Sequence, residues 1–433
     1  VRSATAVNDA PTLTSVSTLT GGTEDVDFTI SYDILKAAGD EADVDGDALS
    51  FRVEAVSSGT ITKGGNPVTP GVTTIGSGES LVWTPAQNAN GVLNAFTVKA
   101  WDGLLPSADP AVQVKVDVSA VNDAPLLSGL EGTALTYSEN QAATAVTGSL
   151  TITDVDDVTM EQGTVHITDN YLSGEDILSF SNTAKITGTW DSFLGKMTLT
   201  RVGTETPTIT EWQDAFHSVT YQNTSDNPSI LTRTLTFTVN DGDATSNAVT
   251  RTIEVTAVND APVITEGAGP LPVTCDEDNS PTAFSLTLHA TDIESNTLTW
   301  SILTAATHGT AGASGTGNSQ TVSYVPSSNY NGSDSFVVTV IDGNGGTDNI
   351  TVNVTITGVN DAPVVANPIS NISVDEGFST YNIDLTNVFF DPDYGDLLIL
   401  SAISSNTSVV TVSIAGAILT ITEVGIGTST VTV

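Results

Sequence analysis

The sequence predicts an all-β chain built as several sandwich domains in a row, and three observations predict it. The phrase Val7-Asn8-Asp9-Ala10-Pro11 returns at 121–125, 258–262 and 359–363, so the copies stand 114, 137 and 101 residues apart. Those spacings are too long for a solenoid repeat and suit whole domains. Apolar and polar residues alternate in 111–118, 235–239, 336–340 and 350–356, the period of a half-buried strand. Gly, Asn, Asp and Ser cluster roughly every 8–12 residues, the turn cadence of a β-sandwich.

The phrase divides the 433 residues into a tail (1–8) that looks like the end of a preceding repeat, then 9–121, 122–258, 259–359 and 360–433. We call these last four segments modules 1 to 4. Each copy of the phrase joins an amide, a carboxylate and a proline, which suits a stiff linker whose oxygens can hold a hard cation. Helix is scarce. Asp33 to Ala38 can form one turn. Thr210 to His217 makes a better helix, with Thr210 as cap, Gln213 three residues later, and Trp212 and Phe216 on one face. Module 2 is longest because it carries this helix and a hairpin-like region over roughly 163–220.

Composition narrows function before any motif does. There are 51 acidic against 11 basic residues, a net charge of −40, so no basic patch exists for nucleic acid or an anionic membrane. The single Cys275 excludes an intrachain disulfide, which leaves metal as the usual staple for an extracellular chain. No run of about 20 apolar residues is present to span a membrane.

Strand parity sorts the carboxylates. In a seven-stranded antiparallel sandwich each strand changes the end of the domain. The top of module 1 then collects Asp9, Asp43, Asp45, Asp47 and Asp102, and Glu24 and Asp25 fall at the bottom, against the linker to module 2. In module 2 the top holds Asp154, Asp156, Asp157 and Asp241, and the bottom Glu139. Module 3 offers Asp292, Glu294 and Asp342 above, with Asp276, Glu277 and Asp278 below. Module 4 offers Asp391, Asp393 and Asp396, with Asp375 and Glu376 below. Gathering several like charges costs several kcal/mol unless a cation sits among them. Oxygen ligands without His or Cys select Ca²⁺.

These junctions, with an Asp-x-Asp after the second strand and an Asp-Gly before the last, resemble the cadherin-like repeats of large bacterial surface proteins and adhesins. They are more distantly similar to animal cadherins. Residues 152–240 resemble a longer variety of the repeat, and 368–422 the dystroglycan-type variety. The resemblance implies Greek-key sandwiches of Ig/cadherin type with Ca²⁺ between modules. It assigns the linker ligands to Asn8 and Asp9, Asn122 and Asp123, Asn259 and Asp260, and Asn360 and Asp361. The lower glutamates are Glu24, Glu139 and Glu277; the Asp-x-Asp pairs are Asp43/Asp45, Asp154/Asp156 and Asp391/Asp393, with Asp292/Glu294 as a variant; the last ligands are Asp102, Asp241 and Asp342. Animal cadherins carry another Asp two residues before the linker Asn, where this chain has Ala120, Ala257 and Gly358, so one or two ions per junction are expected rather than three.

Other readings compete. Asp-rich turns close Asx-turns without metal, but recurrence of the set in several modules favours ligands. Asp43 to Glu54 imitates an EF-hand loop, yet its sixth position is Ala48. Asp342-Gly-Asn-Gly-Gly346 is a single copy and reads as a hairpin turn. Trp83, Trp101, Trp190, Trp212 and Trp300 are core residues or sugar platforms. Catalytic motifs are absent: the four His are scattered, and Cys275 sits beside three carboxylates that oppose thiolate formation.

The expectation is therefore a non-enzymatic extracellular rod segment of a bacterial surface adhesin, stiffened by Ca²⁺ and projecting a binding tip. Its partners would be neighbouring repeats or other copies of itself, and glycans or cell-surface proteins. Residues 429–433 are followed by no Asp-Gly and no further strand, so module 4 is expected to be incomplete. A filament or surface-layer subunit assembled by strand donation is the alternative, and an array of carbohydrate-binding modules is a third reading.

Overall fold

The computed structural model describes residues 7–108, 110–393 and 395–433. The expected tail at 1–8 lies outside these except for Val7 and Asn8. The chain divides into two compact units, one ending at Thr256 and one beginning at Ala257. Each unit contains two hydrophobic cores. The architecture is all-β, as expected, with paired sheets face to face.

In module 1 a five-stranded sheet runs in the order Leu19–Thr23, Val112–Ser119, Gly91–Trp101, Ser50–Val56, Thr74–Ile75. A four-stranded sheet covers it, in the order Phe28–Ser31, Ser80–Thr84, Thr60–Lys63, Asn66–Pro67. Alternate residues point inward, so Phe51, Val53, Phe96, Val98, Val114 and Val116 meet Ile30, Leu81 and Trp83, all at most 1% exposed. The edge strand Leu19–Thr23 pairs in parallel with the last strand. The sandwich is therefore not wholly antiparallel, although strand parity had already sent both strands the same way. At the end of Phe28–Ser31, Ser31 caps the short helix Tyr32–Ala38 by accepting from the Ile34 amide.

Module 2 repeats this plan and enlarges it. Its main sheet has six strands because the hairpin Ile186–Asp191 and Lys196–Arg201 adds to the edge of Gln162–Asp169. The helix runs Ile209–Ser218, and its cap is Thr208 rather than Thr210. Glu211 decides this: its backbone amide donates to the Thr208 hydroxyl, and its carboxylate accepts from the Thr208 amide at 2.8 Å. Trp212 and Phe216 are fully buried, as their shared face predicts. Phe216 lies so close to the sheet that a Cβ on Gly163 would come within 2.6 Å of its ring. In the same module, Arg233 and Asp176 are buried as a charge pair at 3.3 Å. Tyr221 (2.6 Å) and Asn223 (2.8 Å) also donate to that carboxylate.

Module 3 returns to the five-plus-four plan. Its first sheet runs Leu271–Asp276, Thr347–Thr357, Gly332–Ile341, Thr299–Thr304, Gly315–Thr316, again with a parallel pair at the edge. Module 4 is sparser. It has a three-stranded sheet, Thr380–Asp384, Ile418–Glu423, Val410–Ala415, and two two-stranded ladders. Its buried core cluster is Leu385, Val388 and Leu419.

One polar feature of module 3 was invisible in the sequence. Asp334, 7% exposed, accepts from the Thr307 amide (3.0 Å) and hydroxyl (2.9 Å), the His308 amide (2.8 Å), the Tyr324 hydroxyl (2.8 Å) and the Ser335 amide (2.8 Å). Burial works to raise its carboxyl, but these donors outweigh it and hold the group at about 2. A depressed carboxylate stabilises fully above its unfolded value near 3.9 and loses that contribution as pH falls through about 2. Asp334→Asn should therefore cost about 2–4 kcal/mol at pH 7, read from amide exchange in Gly332–Ile341, and the deficit should shrink at pH 3. An equal deficit at both pH values would mean that shape rather than charge is lost.

Candidate metal centres

The Asp-x-Asp loops share one internal geometry. The first carboxylate folds the loop over itself: Asp43 Oδ1 accepts the Asp45 amide at 2.8 Å, Asp154 Oδ1 the Asp156 amide at 2.9 Å, and Asp391 Oδ1 the Asp393 amide at 3.0 Å. These are Asx-turns. The second carboxylate then takes the amide of the linker Asp. Asp45 accepts from Asp9 at 2.7 Å, Asp156 from Asp123 at 2.8 Å and Asp393 from Asp361 at 2.6 Å.

The linker Asn reaches the other way. Its Nδ2 donates to the aspartate before the last strand: Asn8 to Asp102 (2.8 Å), Asn122 to Asp241 (3.0 Å) and Asn259 to Asp342 (2.6 Å). Those aspartates also close their own turns, as Asp102 does by accepting from Leu104 and Leu105. Asn360 donates to the Asp361 carbonyl.

The lower glutamates are buried, Glu24 at 2%, Glu139 at 4% and Glu277 at 3%. Glu24 accepts the Val121 amide at 3.1 Å and Glu277 the Val359 amide at 2.8 Å. This turns each carboxylate toward the linker that follows. Glu139 donates its amide to Thr256 O at 2.9 Å; it stands at the end of the first unit.

Carboxylates distant in sequence thereby meet. Glu24, Asp123 and Asp156 place one oxygen each within 4.8 Å of one another, as do Glu277, Asp361 and Asp393. Three further sets meet the same limit: Asp43, Asp45 and Asp47; Asp154, Asp157 and Asp241; and Asp391, Asp393 and Asp396. Asp47, Asp157 and Asp396 join these sets although the resemblance assigns them no ligand role. Each follows its Asp-x-Asp by one to three residues, and that proximity was the available signal.

The third module differs. Asn296, not an acid, closes the Asp292 loop at 2.8 Å, and its side chain donates to Asn259. Glu294 receives the Asp260 amide only at 3.4 Å. Among the described residues, Asp260, Asp292, Glu294 and Asp342 form no such close set. The extra methylene of Glu294 and the intruding amides account for the looser arrangement.

The electrostatics are those of crowded like charges. Burial pushes the Asp123 carboxyl up, and the charges of Asp156, Asp25, Glu24 and Asp154 push it further. Burial raises Asp361 too, with Asp278, Asp393 and Asp391 adding to it, and it raises Asp157 together with Asp154 and Asp241. The Asn8 and Asn259 side chains, by donating, hold Asp102 and Asp342 below the usual range. Asp43 Oδ2, Asp123 Oδ2 and Asp154 Oδ2 are buried without any hydrogen-bond partner. Oxygen-only sets with buried, unpaired carboxylate oxygens fit a hard divalent cation and not a soft one.

Trp83, Trp212 and Trp300 are at most 2% exposed and Trp101 and Trp190 are half-buried, so three of the five are core residues. No helix of the described residues is long and apolar enough to cross a membrane.

Fold and repeated junction together define a tandem array of Ig/cadherin-like β-sandwiches. Residues 8–115 and 259–355 each match the model of the Bacterial Ig domain family. Among solved structures, the protocadherin gammaB7 EC3-6 cis-dimer is similar at 17% identity, covering 96% of this chain and 92% of that one, with a TM-score of 0.41. Mouse cadherin-23 EC22-24 is similar at 16% identity over 82% of this chain and all of that one, with a TM-score of 0.41. No curated protein matches by sequence.

In chelator the Asp123 charge opposes folding, because burial and its neighbours disfavour it. Asp123→Asn, which keeps the backbone bond to Asp156, should raise the metal-free melting temperature of the first unit. A lower melting temperature would contradict the repulsion.

Proposed function

We propose that this chain is a non-enzymatic extracellular segment of a bacterial surface adhesin, whose junctions are stiffened by Ca²⁺ so that the array presents a binding tip. One observation carries the reading: Glu24 from the end of one sandwich, Asp123 from the linker and Asp156 from the next sandwich converge within 4.8 Å. A cation held by all three ties two domains and their linker together. The set Glu277, Asp361 and Asp393 repeats the arrangement in the second unit. Asp154, Asp157 and Asp241 offer a neighbouring position, in keeping with one or two ions per junction.

The ion supplies charge neutralisation and a rigid coordination shell; the chain's residues supply everything else. Glu24 and Glu277 are pre-aimed by the linker amides they accept. Asp156 and Asp393 are fixed by the amides of Asp123 and Asp361, so most of the ordering entropy is lost at folding rather than at binding. The acidic surface suits an exterior rich in divalent ions. Buried Cys275 leaves no thiol to exchange. Family resemblance and the cadherin-like fold support adhesion as the role.

Titration calorimetry with Mg²⁺ as competitor should give saturable binding of several Ca²⁺ ions. Asp156→Ala should lose part of that stoichiometry and leave the Glu277–Asp361–Asp393 site intact. Small-angle scattering should broaden on chelation as the junctions loosen. Superimposable profiles with and without chelator would refute the stiffening role, and absence of binding would refute the ion.

A further inference from the structure

The acidic loop of module 3 keeps the backbone of its counterpart in module 1 and changes the side chains. Asp43-Val-Asp-Gly-Asp47 and Asp292-Ile-Glu-Ser-Asn296 each close with the amide of the fifth residue on Oδ1 of the first, at 3.2 Å for Asp47 and 2.8 Å for Asn296. Each turns through a left-handed fourth residue, Gly46 (φ 79°) and Ser295 (φ 62°). Asn296 therefore stands where module 1 has the acid Asp47. Modules 2 and 4 also bring a further acid to their loops, Asp157 and Asp396.

Two more contacts differ. Asp45, Asp156 and Asp393 take the amide of the linker aspartate at 2.7, 2.8 and 2.6 Å, whereas Glu294 takes that of Asp260 at 3.4 Å. The linker amide Asn259 is engaged at both ends. Its Nδ2 donates to Asp342 at 2.6 Å, and its Oδ1 accepts from the Asn296 side chain at 3.1 Å, which leaves that oxygen less free to ligate a cation. The demand for a cation persists all the same. Asp260 Oδ2, Asp292 Oδ2 and Glu294 Oε2 are buried with no hydrogen-bond partner among the described residues.

We propose that the top of module 3 is the weak Ca²⁺ position of this chain, filled only at concentrations above those that fill the tops of modules 2 and 4. The inference rests on the function proposed above. Oxygen sites tune their Ca²⁺ affinity by the number of charged ligands and by the rigidity of the shell. An amide at 296 in place of a carboxylate removes one charge. Glu294 has one more rotatable bond than aspartate to order on binding, and its long contact to Asp260 restrains it less. Between the two concentrations the linkers 121–125 and 359–363 are ordered by the ion and 258–262 is not. The array then answers calcium in two steps, and residues 294 and 296 set the second.

Hydrogen exchange of the whole 433-residue chain, read by mass spectrometry through a Ca²⁺ titration starting from chelator, tests this. The signals are the segments 121–125, 258–262 and 359–363. Half-protection of 258–262 should need at least about tenfold more Ca²⁺ than that of the other two. Glu294→Asp together with Asn296→Asp should bring 258–262 to within about threefold of them. The reverse exchange, Asp156→Glu with Asp157→Asn, should raise the concentration needed by 121–125. The ranking in the unaltered chain needs no variant, so misfolding of a variant cannot decide it. Protection of all three segments at one concentration, or of 258–262 first, would overturn this inference and leave Ca²⁺ binding standing. No Ca²⁺-dependent protection in any of them would overturn the proposed function and this inference with it.

Discussion

Repulsion among carboxylates at the ends of the sandwiches is the constraint on which the other features depend. A folded domain buries a few charges only when they are paired or hydrogen-bonded, yet Glu24 and Glu277 are nearly inaccessible and face other acids. The chain answers with backbone amides and asparagine side chains. These hold Glu24, Glu277, Asp154, Asp156 and Asp393 by hydrogen bonds to their carboxylates, whereas Asp123 takes part through its own amide. Asp123 and Asp154 each keep a buried oxygen with no partner, an arrangement that protein groups alone leave unfavourable and that the proposed cation would complete.

The division of labour explains why an amide and a carboxylate stand side by side in every linker. Asn122 is neutral and can donate, so it approaches Asp241 closely without adding charge. Asp123 presents its amide to Asp156 and its carboxylate to the cluster. The proline that follows restricts the backbone at the point where two domains meet. Module 3 varies the plan: Glu294 stands in place of Asp and takes the Asp260 amide at 3.4 Å, with the Asn296 side chain bonded to Asn259.

Much of this was legible because strand parity is a strong rule. A chain that must cross the sandwich with each strand sends alternate turns to alternate ends, so parity alone puts Asp43, Asp45 and Asp102 at one end and Glu24 at the other. The parallel edge pair followed from the same parity, although the sandwich had been expected to be antiparallel throughout. The helix cap was misplaced because Thr208 and Thr210 both precede a Glu or Gln by three residues, and the positions of Trp212 and Phe216 do not choose between them. The charge pair Arg233–Asp176 and the donors around Asp334 were not legible. Their partners are 57 residues apart in the first case and up to 27 in the second, and no local pattern records such contacts.

Under the proposed function, Ca²⁺ occupies the carboxylate clusters between sandwiches. Anomalous diffraction from crystals grown with CaCl₂, collected at long wavelength, tests it most directly. Peaks are expected among Glu24, Asp123 and Asp156 and among Glu277, Asp361 and Asp393. Anomalous maps without peaks there, with the three carboxylates of each set turned apart into solvent, would contradict it.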